Sequence, residues 1–412
     1  MTNVHLENQK VSKQFYLILW VEYALIYMTK NCFNAAMADL VYEGVLTKTQ
    51  TGLISAVFFI FYGPLQILGG FMADRHNPEK LIKIGLISSG ILNLLLFVKH
   101  DYISMLILWG LNGIAQFAIW PAIVKIITCQ LAPSDRKNGA FYIAFASVGG
   151  LLASYVTAAL ITRWEYNFLL SGIVLLALAA LWVTECHTVD RYMVRDAQLA
   201  EDAPQKDTVS AGKLFSRTGF YWIVLFFFFR TLVDQSIKAF SPTMLMELYP
   251  GVTPSVGNLL NVLIIGGTLL GAVLIRKVYP KKIHSEVTGM LVFSAVCLPL
   301  CMVLLFAGSV HIALVVACLC IASCFLNCGT VLVNCGNTHF GSYGKSATAA
   351  GIVNAAASVA FIFNSYGIAL IADTFGWQAV LLTLLAFMVL TTAFTLPAVP
   401  RWRKFLKSKN QE

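Results

Sequence analysis

The sequence GGFMADRHNPEK, residues 69–80, is a short polar loop between two long apolar runs. Gly70 would allow close packing of helices, and Asp74 and Arg75 precede a turn that contains Pro78. A carboxylate such as Asp74 can accept hydrogen bonds at the N-terminus of a neighbouring helix, where the helix dipole favours an anion. These residues leave open both a contact between helix ends and an ordinary solvated loop.

The apolar runs on both sides of this loop belong to a chain that is apolar throughout. Of its 412 residues, 58% are hydrophobic and 12% are charged, whereas a soluble domain carries roughly 25% charged residues. An apolar run of about 20 residues spans a bilayer as a helix. The sequence therefore predicts an all-α membrane protein with twelve transmembrane helices, at residues 15–41, 49–73, 80–99, 102–130, 138–162, 167–186, 219–246, 254–275, 285–307, 311–335, 346–372 and 377–399.

The longest polar stretch, residues 187–217, divides the predicted helices into two sets of six. In the first set, RKNGAFYIAFASVGG followed by RWEYNF resembles KSATAAGIVNAAASVA followed by FGWQAV in the second, so that Trp164 corresponds to Trp377. The sequence therefore predicts two pseudo-symmetric halves. We expect an N-terminal six-helix half at 1–186, a cytoplasmic linker at 187–217, and a C-terminal six-helix half with a short basic cytoplasmic tail at 218–412.

The loops differ in positive charge, which predicts the orientation of the chain. With a cytoplasmic N-terminus, the outward-facing basic residues are Lys48, Lys99 and Arg163, and most of the 29 Lys and Arg residues face the cytoplasm. We therefore expect a multi-pass protein of the cell (inner) membrane with both termini in the cytoplasm. The formal charge of +9 then lies on the cytoplasmic rim and gives no reason to expect nucleic acid as a partner.

The sequence predicts no cofactor, metal or catalytic residue. The ten cysteines lie inside or at the edges of apolar segments, and they are not grouped with histidines or acids as a metal site would require. The sequence shows neither a phosphate-binding loop ending in Gly-Lys-Ser/Thr nor a nucleophile–base pair. We therefore expect a protein that is not an enzyme and that draws energy from an ion gradient or an exchange partner.

A lysine lies in the middle of the first predicted span, although a charge at the bilayer centre costs about 3 kcal/mol on insertion scales. On a helix, Tyr23, Tyr27, Lys30 and Asn34 fall on one face. This polar and aromatic stripe would face a cavity rather than lipid. The stripe is therefore a candidate substrate-binding surface.

The seventh predicted span carries Arg230, Asp234 and Lys238 at four-residue spacing, which predicts an ion pair within the helix. We expect Asp234 to neutralise one of the two cations well at a time. For Lys30, the alternative role is a salt bridge to Glu22 or Asp234. Even when Glu22 and Asp234 are counted against the three cations, the embedded charge stays positive, which favours an anionic ligand.

Two further polar residues lie in the fourth predicted span. Gln116 would either bind substrate or tie its helix to a neighbour. Lys125 lies near the cytoplasmic end and would either contact substrate or extend its ammonium group to the interface.

The loop and its position resemble a known superfamily. After the second of twelve predicted helices, Gly70, Asp74 and Arg75 match the G-x-x-x-D-R signature of the major facilitator superfamily. The resemblance implies that this loop is a cytoplasmic gate. The corresponding segment of the second half, GAVLIRKVYPKK, keeps Gly271 but has Ile275 where the aspartate would stand.

A narrower resemblance extends over nearly the whole chain. GIAQFAIWP, residues 113–121, has a G-x-x-Q-x-x-x-W-P spacing similar to that of the organophosphate:phosphate antiporters, the glycerol-3-phosphate and hexose-phosphate transporters. EYALIYMTKNCF, residues 22–33, also aligns with that family. The alignment places Tyr23 and Tyr27 on family tyrosines and Lys30 on the phosphate-binding arginine.

The chain also departs from this pattern. Lys30 offers a point charge where arginine would offer a planar fork for phosphate. Ala146 stands where the glycerol-phosphate transporter has a substrate-site histidine. The second phosphate arginine corresponds to Arg230 if RTLVDQ anchors the alignment, and its position is taken by Asp234 if SPT does.

These observations predict a secondary active transporter that moves a small organic anion, a phosphate ester, sulfonate or carboxylate, by alternating access. Inorganic phosphate and protons are both open as counter-ions, and we expect a monomer in the lipid bilayer. One alternative is an exporter of neutral or cationic compounds, in which the embedded charges would cancel as internal pairs. Another is a transporter-like membrane sensor of organophosphates.

Overall fold

The computed structural model describes the chain in seven stretches, residues 3–6, 8–132, 134–161, 163–196, 210–279, 281–343 and 345–409. The chain divides into two compact units, Met1–Ala203 and Pro204–Glu412. The elements of the N-terminal unit, in chain order, are β1 Asn3–Leu6, α1 Gln9–Lys30, α2 Cys32–Tyr42, α3 Lys48–Arg75, α4 Pro78–Val98, α5 Tyr102–Gln116, α6 Ile119–Lys125, α7 Arg136–Leu160, α8 Glu165–Asp190 and β2 Met193–Asp196.

The C-terminal unit is built from helices in the part of the chain that the structure describes. They are α9 Ala211–Thr218, α10 Phe220–Leu248, α11 Pro254–Val278, α12 Glu286–Leu304, α13 Ile312–Thr338, α14 Ser346–Phe363, α15 Ala369–Thr395 and α16 Ala398–Lys409. A π-helical turn, Asn364–Ile368, joins α14 to α15, and another, Ile126–Gln130, continues α6. Gly376 breaks α15 with φ 78°, so the eleventh and twelfth predicted spans meet at this residue.

The predicted membrane fold of two pseudo-symmetric halves is confirmed. Eight described segments are long and apolar enough to cross a membrane, and the last of them, Thr348–Ser408, includes both the eleventh and twelfth predicted spans. Each unit repeats the same helix pairs: α1 with α7, α3 with α5 and α4 with α8 in the first unit, and α10 with α14, α11 with α13 and α12 with α15 in the second.

The equivalence of Trp164 and Trp377 also appears in the contacts that they make. The indole of Trp164 donates to Glu43 Oε2 at 3.0 Å, just after α2. The indole of Trp377 donates to Glu247 Oε2 at 2.8 Å, near the end of α10. In each unit, the tryptophan at the start of the last span therefore holds the end of the first.

The helix starts repeat as well, because similar polar residues end the loops before them. Thr47 caps α3 and Thr253 caps α11, each through its side-chain oxygen. Asn77 caps α4, and Ser285 caps α12 at the corresponding place. Such caps satisfy backbone N–H groups that have no partner inside the helix, and they fix where each span begins.

Two short strands are a feature that the sequence analysis missed. β1 and β2 pair antiparallel, with Asn3 opposite Asp196 and Leu6 opposite Met193. The first residues of the chain therefore pair with part of the predicted linker. That linker also contains the end of α8 and most of the short helix α9. Strands of four residues carry too little alternating pattern to be recognised among polar residues.

Small residues allow the helices of each pair to approach closely. A Cβ added to Gly150 of α7 would lie 2.2 Å from the carbonyl oxygen of Ala24 in α1, whereas one added to its neighbour Gly149 would meet no atom within 4 Å. Contrary to the sequence analysis, Gly70 is not a packing glycine, since its Cβ would also meet nothing. Its neighbour Gly69 takes that role and approaches the backbone oxygen of Phe117.

The two adjacent glycines provide a matched test of this packing. We expect Gly150→Ala to destabilise the purified protein by about 1–3 kcal/mol, because the methyl group overpacks α1 against α7. Gly149→Ala should be neutral or mildly stabilising, since alanine favours a helix over glycine by up to about 1 kcal/mol. Thermal unfolding in detergent measures both variants, and equal melting temperatures would contradict the close approach of α1 and α7.

Candidate functional site

The first span is broken at its embedded lysine. α1 ends at Lys30, and α2 begins at Cys32 after Asn31, whose φ of −102° and ψ of 3° are not helical. The Asn31 side chain donates to the carbonyl oxygen of Tyr27 at 2.8 Å. The expectation of one continuous helix from Tyr23 to Asn34 is therefore wrong. Lys30 instead lies at a helix C-terminus, where the dipole favours a cation.

Aromatic rings surround the ammonium group of Lys30. Its Nζ lies 3.6 Å from the ring centroid of Tyr62, 5.5 Å from that of Tyr27 and 5.8 Å from that of Phe58. Ring faces attract a cation electrostatically, most strongly where water is excluded. Within the described part of the N-terminal unit, no carboxylate forms an ion pair with Lys30, and Glu22 is buried about two turns earlier in α1.

The aromatic stripe continues from Lys30 toward α6. The rings of Tyr23 and Tyr27 lie 5.9 Å apart, and the ring of Tyr23 lies 5.2 Å from that of Trp120. The other end of the stripe is tied to α3, where the Ser55 hydroxyl donates to Asn34 Oδ1 at 2.9 Å. The structure thus brings Tyr23, Tyr27 and Lys30 together, while the Asn34 side chain accepts a hydrogen bond that links α2 to α3.

The structure favours a structural role for Gln116. Its amide nitrogen donates to Ser89 Oγ at 2.9 Å and to Asn112 Oδ1 at 3.3 Å. The Ser89 hydroxyl in turn donates to Asn112 at 2.5 Å. Gln116 is buried in this network, which ties α5 to α4. Its alternative role as a substrate ligand stays a prediction.

Lys125 is likewise engaged inside the N-terminal unit. Its ammonium group donates to the carbonyl oxygen of Ala73, near the C-terminus of α3. A cation at this place satisfies a carbonyl oxygen that the helix leaves without a partner. Lys125 therefore contacts the predicted gate segment, and its alternative role in substrate binding stays a prediction. In that segment Arg75 is exposed, and the side chain of Asp74 lies outside the described atoms.

In the C-terminal unit, the predicted ion pair within α10 is confirmed and has a different geometry. Arg230 Nη2 lies 3.2 Å from Asp234 Oδ2, and Lys238 Nζ lies 2.7 Å from the same oxygen. The expectation that Asp234 pairs well with one cation at a time is therefore wrong, because a single oxygen binds both. Arg230 Nε also donates to the carbonyl oxygen of Leu326 at 2.9 Å.

This cluster of Arg230, Asp234 and Lys238, called here the α10 charge cluster, is buried. The three residues are at most 9% exposed, and the second oxygen of Asp234 has no hydrogen-bond partner among the described residues. Two cations share one carboxylate, so the cluster holds an excess positive charge. Charge out of water is costly unless it is paired, so the three side chains depend on one another for charge compensation.

Other polar contacts fix α10 in place, and the sequence analysis missed them. The Ser236 hydroxyl donates to Asn364 Oδ1 at 2.5 Å, at the start of the second π-helical turn. Asn261 of α11 donates to the carbonyl oxygen of Lys238 at 2.8 Å. Serine and asparagine residues within apolar spans indicate that such hydrogen bonds between helices exist. Their spacing in the sequence cannot show which neighbouring helix each side chain faces.

Among the described residues, no group of three His, Cys, Asp or Glu side chains could hold a metal ion. The ten cysteines are free thiols. The chemistry that these arrangements offer is electrostatic binding, through a lysine in an aromatic setting and through the α10 charge cluster.

The sequence is similar to those of a membrane sensor and of a probable hexose phosphate transport protein. The chain is 32% identical over 159 residues to the membrane sensor protein UhpC of Escherichia coli (strain K12), covering 38% of this chain and 36% of the relative. It is 29% identical over 161 residues to a probable hexose phosphate transport protein of Chlamydia trachomatis serovar D, covering 38% and 35%. The alignments therefore span just over a third of these curated relatives, and they bear out the resemblance to the organophosphate:phosphate antiporters.

Solved structures share the fold over almost the entire chain. A bacterial homolog of the human lysosomal transporter Spinster, in an inward-facing and unoccupied conformation, superposes with a TM-score of 0.73. It is 16% identical and the superposition covers 96% of this chain and 98% of that one. The profile of the Major Facilitator Superfamily matches residues 19–344. The match, the repeated helix pairs and the shared fold agree. The chain belongs to the Major Facilitator Superfamily.

Proposed function

We propose that this transporter moves a small organic anion, a phosphate ester, sulfonate or carboxylate, by alternating access. The observation that carries the proposal is the excess of buried positive charge. In the C-terminal unit, Asp234 is shared by Arg230 and Lys238. In the described part of the N-terminal unit, Lys30 has aromatic rings around it and no carboxylate partner. An anion is the ligand that would neutralise this charge in either unit.

The rival exporter of neutral or cationic compounds requires the embedded charges to cancel. The shared oxygen of Asp234 argues against this rival, because one carboxylate cannot neutralise two cations. The relatives also support an anionic substrate, since the hexose phosphate transport protein is named for a phosphorylated substrate. We therefore assign Tyr23, Tyr27 and Lys30, together with the α10 charge cluster, to anion binding.

A membrane sensor is a second candidate, and the similarity to UhpC, named as a sensor, favours it. The two functions differ in one measurable property. A transporter in proteoliposomes accumulates a labelled anion such as glucose 6-phosphate or glycerol 3-phosphate against loaded inorganic phosphate. A sensor binds the same anion with no flux. Binding without flux under both phosphate and proton gradients would support the sensor.

Orientation, oligomeric state and a gate are further parts of this proposal. We propose a monomer in the inner membrane with both termini in the cytoplasm, in line with the positive charge of the loops. We also propose that Gly70, Asp74 and Arg75 form a cytoplasmic gate. The contact between Lys125 and Ala73 supports this role, since it connects the gate segment to the fourth span.

Removing the charge of Lys30 tests the anion site of the N-terminal unit. We expect Lys30→Gln to weaken anion binding by about tenfold or more, which is roughly 1.4 kcal/mol, and to abolish uptake while the protein stays folded. Lys30→Arg should retain partial function, since the charge remains. Lys99→Gln, an exposed lysine of the same unit, is the control. Normal binding in Lys30→Gln would refute the assignment.

Removing the charge of Asp234 tests the α10 charge cluster. Asp234→Asn removes the carboxylate that Arg230 and Lys238 share, so we expect the anion-free protein to lose about 3–5 kcal/mol of stability. Anions should raise its melting temperature by more than they raise that of the wild type. The double variant Asp234→Asn/Lys238→Gln returns the formal charge of the cluster to the wild-type +1, although Arg230 still lacks its carboxylate, and should recover part of the lost stability. A variant that anions do not stabilise would show that Asp234 organises the site itself.

The gate is tested by separating binding from turnover. We expect Lys125→Gln and Asp74→Asn each to slow uptake by about tenfold while anion affinity changes by less than about twofold, or 0.4 kcal/mol. The reason is that Asp74 lies in the proposed gate segment and Lys125 contacts it through Ala73. A loss of affinity with unchanged turnover would instead place Lys125 in the substrate site.

A further inference from the structure

A groove of about 510 Å³ opens in the C-terminal unit between α16 and the loop that joins α11 to α12. This volume is within the range of small-ligand sites, roughly 300–1,000 Å³. Four basic side chains line it, Lys282 and His284 from the loop and Arg403 and Lys407 from α16. All four are exposed, so each can reach a ligand from outside the helix bundle.

The basic wall is held in place by the packing of α16. Trp402 is fully buried and Phe405 is 8% exposed within the core of the C-terminal unit. This anchoring directs the intervening polar residues outward. Arg403 also donates to Thr288 Oγ1 in the first turn of α12 at 3.2 Å. These contacts fix the position of α16 along the groove.

Negative charge is absent from the described lining of the groove, which has no carboxylate. The nearby Glu286 is buried, and its oxygens accept hydrogen bonds from Tyr279 at 2.7 Å, His339 at 2.7 Å and Trp402 at 2.8 Å. The groove is thus a site of positive charge, and the start of α12 adds to it through the helix dipole.

The other wall of the groove is apolar, and it continues onto the outer face of α12. Ile283 and Leu406 lie in the groove, and Val292 stands beyond them at 52% exposure. Val292 lies on α12, which is long and apolar enough to cross a membrane, so its exposed side chain is available to a lipid chain. A ligand that filled the groove would therefore have an anionic end against the basic wall and an apolar end against Val292.

We propose that this groove binds an anionic glycerophospholipid, with its headgroup phosphate at Lys282, His284, Arg403 and Lys407 and its upper acyl chain along Val292. A free phosphate or a soluble phosphate ester would use the basic wall and leave the apolar wall exposed. The lipid covers both. This inference does not depend on which substrate the protein transports.

The test is a titration of the purified full-length protein in a neutral detergent, with bound lipids counted by native mass spectrometry. We expect phosphatidylglycerol to bind more tightly than phosphatidylcholine. Arg403→Gln/Lys407→Gln should lower the affinity for phosphatidylglycerol by about 30-fold, since each basic residue near a lipid surface contributes about 1 kcal/mol. Lys282→Gln/His284→Gln should lower the affinity as well, by removing the basic side chains that the loop contributes to the groove.

The matched control is Arg401→Gln/Lys404→Gln, which removes the same charge from the same helix at positions that do not line the groove. We expect this control to bind phosphatidylglycerol with affinity close to that of the wild type. Equal losses in groove and control variants would overturn the proposal, because α16 would then act as a general basic surface.

Inorganic phosphate separates the two sources of the anion. Millimolar inorganic phosphate should leave bound phosphatidylglycerol in place, and full displacement would assign the groove to a soluble anion instead. Arg403→Gln/Lys407→Gln could lower lipid binding merely by destabilising the protein, which a lower melting temperature in the absence of lipid would reveal. In that case the affinity of Lys282→Gln/His284→Gln for phosphatidylglycerol tests the proposal. Unchanged lipid affinity in that folded variant would also overturn the proposal.

Discussion

The contact on which this structure depends is the pair of cations held by one carboxylate oxygen of Asp234. Arg230 and Lys238 approach this oxygen at 3.2 and 2.7 Å inside a bilayer-spanning helix. A buried charge needs a partner or a change of protonation state, so separating these three side chains within the bilayer would be costly. The cluster therefore constrains the fold, and its remaining positive charge is the basis on which we propose an anionic substrate.

The surrounding helices hold this arrangement through repeated contacts. Each unit uses the same helix pairs, and each closes the end of its first span with a tryptophan–glutamate hydrogen bond, Trp164 to Glu43 and Trp377 to Glu247. The functional groups are not repeated in this way. The N-terminal unit places a lysine among aromatic rings, whereas the C-terminal unit holds two cations on one carboxylate. The two units, which share one fold, thus stabilise buried positive charge in two ways, by aromatic rings in the first and by a shared carboxylate in the second.

Much of the fold and part of the site could be predicted from the sequence. Lys30 and the charges of α10 stand out because a bilayer makes embedded charge costly, and the Trp164–Trp377 correspondence could be read from the repeat. The sequence could not show that Tyr62 and Phe58 face Lys30, because the rotation of α3 about its axis is set by packing. The same reason hides the network that occupies Gln116 and the contact of Lys125 with Ala73. The break at Asn31 was also missed, since asparagine alone does not end a helix.

The position of these charges also governs how the chain enters the membrane during synthesis. Among the described segments that are long and apolar enough to cross a membrane, neither α1–α2 nor α10 is included, although these helices begin the two units. Each embedded charge adds about 2.5–3.5 kcal/mol to the cost of leaving the translocation channel for lipid. The first helix of each unit is therefore poorly retained by lipid alone. Its stable integration has to follow the arrival of later helices, α7 for α1 and α14 for α10, so that insertion of each half is a cooperative event completed near its end.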